Sequence, residues 1–301
     1  MSVNAESTAD ACNNAVVHVA DTGSKVIRAV GSWAMRKPGV ETMVEAEPTT
    51  IKIHDPIKRW HNRITPGMIV ENLDILLGLN PGFIHRFSPM FNKWRTVGFE
   101  RYTYTYGERL QNFRGINQLS NIINKLIISK STRQAYMTIW DPADVQNDTV
   151  PCNIGIHFVV SNHDELSLRV FCRSQDVLRG LVLDTFCFSH MLEQVALETY
   201  LKVGDLYHIE SNLHIYLKDL DKDPIIHFVS SKWYCHKIND LGPAELLTSQ
   251  LKRKIYTALE HLAQSYEKNQ KVTATELSKD TPYWNNYMSL LAENLNERKV
   301  S

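Results

Sequence analysis

An α+β fold in a single domain is predicted for this 301-residue chain by three features of its sequence. Two β-prone runs, 154–161 and 166–173, flank the polar turn Asn162-His163-Asp164 and predict a hairpin. The run 186–201 is too apolar for a surface helix and predicts a long, central, buried helix. Because the chain shows neither internal repeats nor a linker-like stretch, we expect one mixed β-sheet packed by helices.

Propensity and spacing predict the remaining elements. Proline in the first turn, followed by apolar residues at helical intervals, predicts a helix over residues 66–79. Residues 1–24 are small and polar, so we expect a flexible N-terminal extension before a domain that comprises residues 25–301. Further helices are predicted over 119–128 and 243–268, and further strands over 26–34, 43–53, 136–140 and 206–217.

Composition limits the partners and the compartment. A formal net charge of zero gives the chain no general attraction for nucleic-acid polymers or anionic membranes, so a mononucleotide is the better candidate partner. No apolar run reaches the roughly 18 residues that span a bilayer. The five cysteines are odd in number and form no C-x-x-C pair, so we expect neither a disulfide framework nor a structural metal site. Reduced cysteines fit a cytoplasmic location.

Cys152 is the first candidate for chemistry. It lies in Val150-Pro151-Cys152-Asn153, directly before the first strand of the predicted hairpin. A cysteine nucleophile must reach the thiolate state, which positive charge or backbone donors favour. Arg173 ends the second strand of the hairpin, so we expect its guanidinium beside Cys152. Taken alone, Cys152 is more simply a small buried residue, because free cysteine is among the most buried residue types.

Five segments resemble the thymidylate synthase superfamily in their order and spacing. Val150-Pro151-Cys152 resembles the nucleophile segment of that family, and Arg173-Ser174-x-Asp176-x-x-x-Gly180 resembles its phosphate- and base-binding signature. The other three are Val70-Glu71-Asn72-Leu73, which resembles the helix with the catalytic glutamate, Tyr106-Gly107, which resembles a tyrosine-glycine motif, and Leu213-His214-Ile215-Tyr216, which resembles the sugar-binding segment. The resemblance covers roughly residues 34–220 and implies a thymidylate synthase-like fold.

The resemblance also implies catalytic roles. Cys152 would add to C6 of a pyrimidine ring, which makes C5 nucleophilic toward the one-carbon unit of 5,10-methylenetetrahydrofolate. Glu71 would move protons through ordered water. The resemblance also implies that Tyr106 is a catalytic residue. Trp94 is a candidate contact for the folate, although core packing is the simpler role for an aromatic residue.

Five residues are implied in binding a pyrimidine mononucleotide. Arg173 would bind the 5′-phosphate, because its planar fork suits that anion, and Ser174 would add a hydrogen bond. Asp176 would offer its backbone amide to the base. His214 and Tyr216 would hold the 3′-hydroxyl of the sugar, while an ordinary exposed strand pair is the alternative interpretation of these two residues.

Two further arginines are candidates for the phosphate. Arg133 matches the first of two adjacent arginines that, in the family, reach the phosphate bound by the partner subunit, and Gln134 replaces the second. The resemblance therefore implies a homodimer in which Arg133 is contributed across the interface. Arg36 is a candidate for a phosphate arginine near the N-terminus, and a surface arginine is an equally good interpretation.

Asp184 indicates the base. It aligns with the asparagine that selects uracil in thymidylate synthases, and cytidylate hydroxymethylases of the superfamily resemble the chain there. An asparagine amide satisfies the N3–H donor and the O4 acceptor of uracil, whereas a carboxylate accepts from the N4 amino group of cytosine. A buried mismatch costs about 1–3 kcal/mol, or roughly one to two decades in affinity. The alternative, a helix N-cap at Asp184, is compatible with a base contact.

The resulting hypothesis is 5-hydroxymethylation of a cytidine monophosphate, either dCMP or CMP. Asn153 and His157 replace residues common in true synthases, which favours water over hydride as the final nucleophile. A cytidylate 5-methylase and a thymidylate synthase are the alternatives among enzymes. A nucleotide- or RNA-binding relative is the alternative outside them, and Cys152 and Glu71 argue against it.

Overall fold

Two β-sheets organise the described part of the chain, which in this computed structural model comprises residues 1–30, 39–78, 86–87, 104–146, 150–220 and 241–300. The strands are β1 (Ser2–Ala5), β2 (Ser24–Val30), β3 (Gly39–Ala46), β4 (Thr49–Ile53), β5 (Tyr136–Thr138), β6 (Asn153–Val160), β7 (Glu165–Cys172), β8 (Gln175–Asp176), β9 (Lys202–Glu210) and β10 (Leu213–Tyr216). A mixed six-stranded sheet has the order β1-β4-β9-β7-β6-β5, and a four-stranded sheet has the order β2-β3-β10-β8.

A long buried helix lies at the centre of the structure. This helix, α5 (Gly180–Thr199), packs against β7, β8 and β9 and against the helices α1 (Thr8–Thr22), α2 (Pro66–Leu77) and α4 (Gln118–Ile128), and most of its residues are buried. The predicted central helix and the α+β class are therefore confirmed. The other α-helices of the described ranges are α3 (Tyr106–Gln111), α6 (Leu217–Leu220), α7 (Ser249–Glu267) and α8 (Pro282–Val300).

The start of α5 differs from the prediction. The helix begins at Gly180, six residues before the apolar run at 186, and Arg179 is its N-cap. A β-carbon at Gly180 would lie 2.5 Å from Gln175 Oε1, so glycine allows the helix to start directly against β8. Asp184 therefore lies inside the helix, and the N-cap interpretation of Asp184 is wrong.

Two of the predicted strands are each divided in the structure. The run 43–53 separates into β3 and β4 around Pro48, and the run 206–217 separates into β9 and β10 around Asn212. In both places the chain passes from one sheet to the other. The helix expected from residue 243 begins at Ser249, because the Thr248 side chain accepts the Leu251 amide as an N-cap.

The first 24 residues are folded, so the expected flexible extension is wrong. Ser2 to Ala5 pair in parallel with β4, and Ser7 and Asp10 form a capping box at the start of α1. Small Ala, Cys and Val side chains recur along one face of α1 and are buried in the core. Their small size allows α1 to pack closely on the sheet. The same small residues were the reason for predicting a flexible extension.

Candidate active site

The thiol of Cys152 lies beside the guanidinium of Arg173, as the hairpin predicts. The backbone amide of Arg173 donates to the Cys152 carbonyl at 2.9 Å, and Nη2 lies 4.0 Å from Sγ. The same side chain donates to the carbonyls of Pro151, at 2.9 Å, and Val150, at 3.2 Å. These bonds hold one edge of the guanidinium against the segment 150–152. Nη1 carries no described hydrogen bond and is available to an anion.

The charge state of the thiol depends on that arginine. Burial raises the pKa of Cys152, the charge of Arg173 opposes this rise, and the Asp184 carboxylate adds to it. The thiol form is therefore favoured in the free protein. Arg173 is the group on this side of the site that draws Cys152 toward the thiolate.

Asp184 presents a single carboxylate oxygen to a ligand. Its side chain is 5% exposed, and Oδ2 accepts two amide donors, Asn153 Nδ2 at 2.9 Å and Gln175 Nε2 at 2.8 Å. Oδ1 carries no described hydrogen bond, yet it is not among the fully enclosed unpartnered atoms. Burial raises the pKa of Asp184, and His208 and the two amides oppose that rise. Because Oδ2 is held by donors, a proton on this group would reside on Oδ1.

Asn153 joins Asp184 to Tyr106. The Tyr106 hydroxyl oxygen accepts from the Asn153 side chain at 3.2 Å and from its backbone amide at 3.3 Å. Burial raises the pKa of Tyr106 well above its ordinary value, so the hydroxyl keeps its proton. Asn153 and Asp184 are thereby tied to α3 by one hydrogen-bond chain.

Helix packing explains the glycine of the Tyr106-Gly107 pair. A β-carbon at Gly107 would lie 2.3 Å from the Asp74 carbonyl oxygen, so only glycine allows α3 to approach α2 this closely. The Gly107 amide donates to Asp74 Oδ2 at 3.2 Å. Glycine at this position therefore sets the distance between the helix of Tyr106 and the helix of Glu71.

Glu71 is a half-buried acid on α2. Its Oε2 atom is enclosed and has no hydrogen-bond partner among the described residues. Burial raises its pKa well above the ordinary value, and the carboxylates of Asp184 and Asp74 raise it further. A raised pKa extends the pH range over which a carboxyl group holds its proton, and such a group is suited to donate a proton or to hold an ordered water.

His214 leaves one ring nitrogen for a ligand. Its Nδ1 donates to the Asn212 side chain at 2.8 Å, and its Nε2 is buried without a partner. Burial lowers the pKa of His214, so the ring is neutral and Nε2 is an acceptor. The Tyr216 ring packs edge-on against the imidazole, with the centroids 5.0 Å apart. A hydroxyl donor is the simplest ligand for this nitrogen.

Several predicted site residues contribute no described side-chain hydrogen bond to this cluster, although Asp176 pairs with His214 in the register of β8 and β10. The Asp176 side chain is engaged locally, since Oδ1 accepts the Leu178 amide and Oδ2 accepts from Arg179. Ser174 uses its carbonyl to accept from Cys172 Sγ, and no bond of its hydroxyl is described. Arg133 is exposed, and no described contact joins it to Cys152 or Asp184. Arg36 and Trp94 lie outside the described residues.

The sequence interpretation missed four polar residues around the site. Gln175 binds Asp184, Asn212 orients His214, and His208 and Glu210 are fully buried on β9. The available signal was the alternation His208-Ile209-Glu210, but polar residues at every second strand position normally indicate the solvent face. Only the sheet topology shows that this face is the inner one.

Comparison with known proteins decides the family. The thymidylate synthase family model matches residues 86–288, more than half of the chain. The chain belongs to the thymidylate synthase family. Cys152, Arg173, Asp184 and His214 lie inside the matched range, and Glu71 precedes it. No helix in the described ranges combines the length and apolar character of a membrane crossing.

Individual relatives cover parts of the chain. The chain is 31% identical over 203 residues to a deoxyuridylate hydroxymethyltransferase of Bacillus phage SP01. The aligned region is 60% of this chain and 52% of the relative. The chain is 30% identical over 132 residues to a thymidylate synthase of Mesoplasma florum, 44% of each chain. A thymidylate synthase of Malacoplasma penetrans is 27% identical over 118 residues, 39% of this chain and 41% of the relative. The chain thus spans about half the length of these curated relatives.

Proposed function

We propose that the protein transfers a one-carbon unit from 5,10-methylenetetrahydrofolate to C5 of a cytidine monophosphate and that water completes a 5-hydroxymethyl product. The observation that carries this proposal is the hydrogen bonding of Asp184. Its Oδ2 is occupied by two amide donors, which leaves Oδ1 as an acceptor for the N4 amino group of cytosine. Uracil would place its O4 acceptor against the same oxygen, an unpaired contact that costs about 1–3 kcal/mol.

The chain supplies the nucleophile and its activating charge. Cys152 would add through Sγ to C6 of the pyrimidine, so that C5 becomes nucleophilic, and would leave again when the product forms. Arg173 lies 4.0 Å from that sulfur and has Nη1 available for the 5′-phosphate, so one guanidinium both orients the nucleotide and favours the thiolate. His214 Nε2 would accept the 3′-hydroxyl of the sugar.

Glu71 would manage protons and water near C5. Its buried, unpartnered Oε2 and the unpartnered Asn153 Oδ1 offer polar positions of the kind that ordered water fills. When bound, methylenetetrahydrofolate would supply the one-carbon unit, and tetrahydrofolate would leave without being oxidised. The relative from Bacillus phage SP01 carries hydroxymethyltransfer in its name, which agrees with water as the last nucleophile.

A homodimer would complete the phosphate site with Arg133 of the second copy. The outward face of the six-stranded sheet carries Tyr136, 48% exposed, in ring contact with His157 and Phe171 at 6.0 and 6.2 Å. Ile154, 37% exposed, belongs to the same strand pair. This apolar, partly aromatic face is suited to a second copy of the chain.

Mixing two inactive variants tests the shared site. Arg133→Ala and Cys152→Ser should each abolish or strongly reduce turnover as homodimers. If Arg133 acts across the interface, mixed dimers contain one complete site and should recover part of the wild-type activity. Mixtures that stay as inactive as their components would contradict the shared site.

The substrate is tested by products and by exchange of Asp184. Wild-type protein incubated with methylenetetrahydrofolate should add CH2O to dCMP or CMP without forming dihydrofolate, as read by mass spectrometry and absorbance. Asp184→Asn should move the preference toward dUMP, whereas Asp74→Asn, a buried exchange outside the base contact, should leave the preference unchanged. Turnover of dUMP alone by the wild type would refute the cytosine assignment. Formation of dihydrofolate would indicate a methylase or synthase instead.

A further inference from the structure

Two side-chain amides meet one oxygen of Asp184 from two different sheets. Asn153 begins β6 of the six-stranded sheet, and its Nδ2 donates to Asp184 Oδ2 at 2.9 Å. Gln175 begins β8 of the four-stranded sheet, and its Nε2 donates to the same oxygen at 2.8 Å. All three residues are buried. The amides of Asn153 and Gln175 therefore form a cradle of donors around the inner carboxylate oxygen, and we call this pair the amide cradle.

The position of Gln175 is fixed through its backbone and its side chain. Its backbone amide donates to the Asn212 carbonyl at 2.8 Å, and the residue pairs with Leu213 of β10. Its Oε1 fills the space beside Gly180, where a β-carbon would lie 2.5 Å from that oxygen. Because the strand holds the backbone and the start of α5 encloses the side chain, little room is left for Nε2 to turn away from Asp184.

The amide of Asn153 is oriented by its hydrogen-bond partners. Its Nδ2 donates to Asp184 and, at 3.2 Å, to the Tyr106 hydroxyl oxygen, which also accepts the Asn153 backbone amide at 3.3 Å. A carboxylate accepts hydrogen bonds and does not donate them, so the amide must present Nδ2 to Asp184. From both sides, the amide cradle thus presents N–H groups to the inner atom of residue 184.

A cradle of donors requires an acceptor as the inner atom of residue 184. With aspartate in the ionised state, Oδ2 meets this requirement, and the outer atom Oδ1 is a second acceptor. With asparagine, the carbonyl Oδ1 would turn inward and the amide Nδ2 would turn outward, where it is a donor. The residue type at position 184 therefore determines the polarity of the outer atom, because the cradle disfavours the opposite orientation of the amide.

We propose that Gln175, together with Asn153, is a positioning residue for base selection: the amide cradle holds residue 184 in one orientation, so that aspartate presents an acceptor to the N4 amino group of cytosine, whereas asparagine would present a donor to O4 of uracil. Neither amide needs to contact the base. Without the cradle, an asparagine at position 184 could present either of its two polar atoms, and selection would weaken. The inference deepens the proposed function and rests on it for the identity of the bases.

The test is a double-mutant cycle on base selection. Dissociation constants of dCMP and dUMP would be measured by calorimetry with the full chain at one pH, without folate. With Gln175 in place, Asp184→Asn should increase the affinity for dUMP relative to dCMP. Gln175→Met removes the donor and keeps the length of the side chain, and in this background the effect of Asp184→Asn on the ratio should be roughly three- to tenfold smaller. Because both nucleotides share the sugar and the phosphate, a general loss of affinity cancels in the ratio.

Gln194→Met is the matched control. Gln194 is a buried glutamine on the same helix as Asp184 and also makes two hydrogen bonds. Its Nε2 donates to the Glu245 carbonyl at 3.1 Å, and its Oε1 accepts the Leu247 amide at 2.8 Å. No described contact joins it to Asp184. The exchange removes a buried amide of the same size, and the effect of Asp184→Asn on the ratio should be unchanged in this background.

The outcomes separate the two proposals. The nucleotide that the wild type prefers tests the proposed substrate, whereas the cycle tests the amide cradle whichever nucleotide is preferred. An equal effect of Asp184→Asn in the wild-type and Gln175→Met backgrounds overturns the inference, and so does the same reduction in the Gln194→Met background. If circular dichroism shows that Gln175→Met does not fold, Asn153→Ala removes the other donor and is held to the same criteria. A wild type that binds neither nucleotide refutes both proposals.

Discussion

The raised pKa of Asp74 can be measured through the pH dependence of the free energy of unfolding. Its side chain is fully buried, Oδ2 accepts the Gly107 amide at 3.2 Å, and Oδ1 has no partner. Burial raises its pKa from the ordinary 3.8 to about 7. A group whose pKa is higher in the folded state binds its proton more tightly there. Its stabilisation is complete below pH 3.8 and is lost as the pH rises through about 7.

The size of this effect follows from the two values. Each pH unit between them is worth about 1.4 kcal/mol, so on the order of 4 kcal/mol of stability is lost over the whole interval. Asp74→Asn removes the titration but keeps an oxygen that can accept the Gly107 amide. The variant should therefore gain about 3 kcal/mol relative to the wild type between about pH 5 and about pH 8, with no further gain above that.

Denaturant unfolding at several pH values, with circular dichroism as the readout, measures this difference directly. The same exchange at the exposed Asp280 is the control and should give parallel profiles for variant and wild type. A difference between Asp74→Asn and wild type that does not grow between pH 5 and pH 7 would mean that Asp74 is not titrating in the folded protein. The burial argument for the neighbouring carboxyl groups would then fail with it.

Three further substitutions test the packing and the charges. Arg173→Lys should slow alkylation of Cys152 by iodoacetamide and move its pH midpoint upward, because the guanidinium opposes the raised pKa of the thiol. Gly107→Ala should lower the free energy of unfolding by about 1–3 kcal/mol, since the new methyl group would meet the Asp74 carbonyl; thermal unfolding measures it. Arg59→Met should lower the free energy of unfolding by about 3–5 kcal/mol, because it leaves the Glu193 carboxylate without its partner in a fully buried 2.7 Å ion pair. A second exchange that neutralises Glu193 should recover part of this loss, as measured by chemical unfolding.

The sequence predicted the parts of the site that local motifs define. The hairpin of β6 and β7 could be read from β-propensity and its polar turn, and its geometry then placed Arg173 next to Cys152. The helix 66–79 was predicted because Pro66 and Gly78 mark its two ends, and Gly78 does adopt the left-handed conformation, with φ of 63°. These features depend on neighbours in sequence, so they survive without knowledge of the tertiary structure.

The parts that depend on distant contacts could not be predicted. The small residues of α1 carry no signal of burial until β4 and α5 form the surface that covers them. Gln175 and Asn153 converge on Asp184 from two different sheets, and no spacing in the sequence relates these positions. His208 and Glu210 occupy alternate strand positions, which resemble a solvent-exposed face until the sheet is seen to bury it.

The electrostatic influence of Asp184 on the pKa of Glu71 affects how variants of Asp184 are interpreted. Burial raises the pKa of Glu71, and the charge of Asp184 raises it further. By reciprocity, Asp184→Asn changes two things: it exchanges the base contact, and it lowers the pKa of Glu71. The first effect appears in the ratio of kcat/KM for dCMP and dUMP at one pH, whereas the second moves the acidic limb or optimum of kcat to lower pH for either nucleotide. If the variant changes the ratio while the kcat profile stays in place, the influence of Asp184 on the pKa of Glu71 does not reach kcat, and the proposed proton role of Glu71 loses this support.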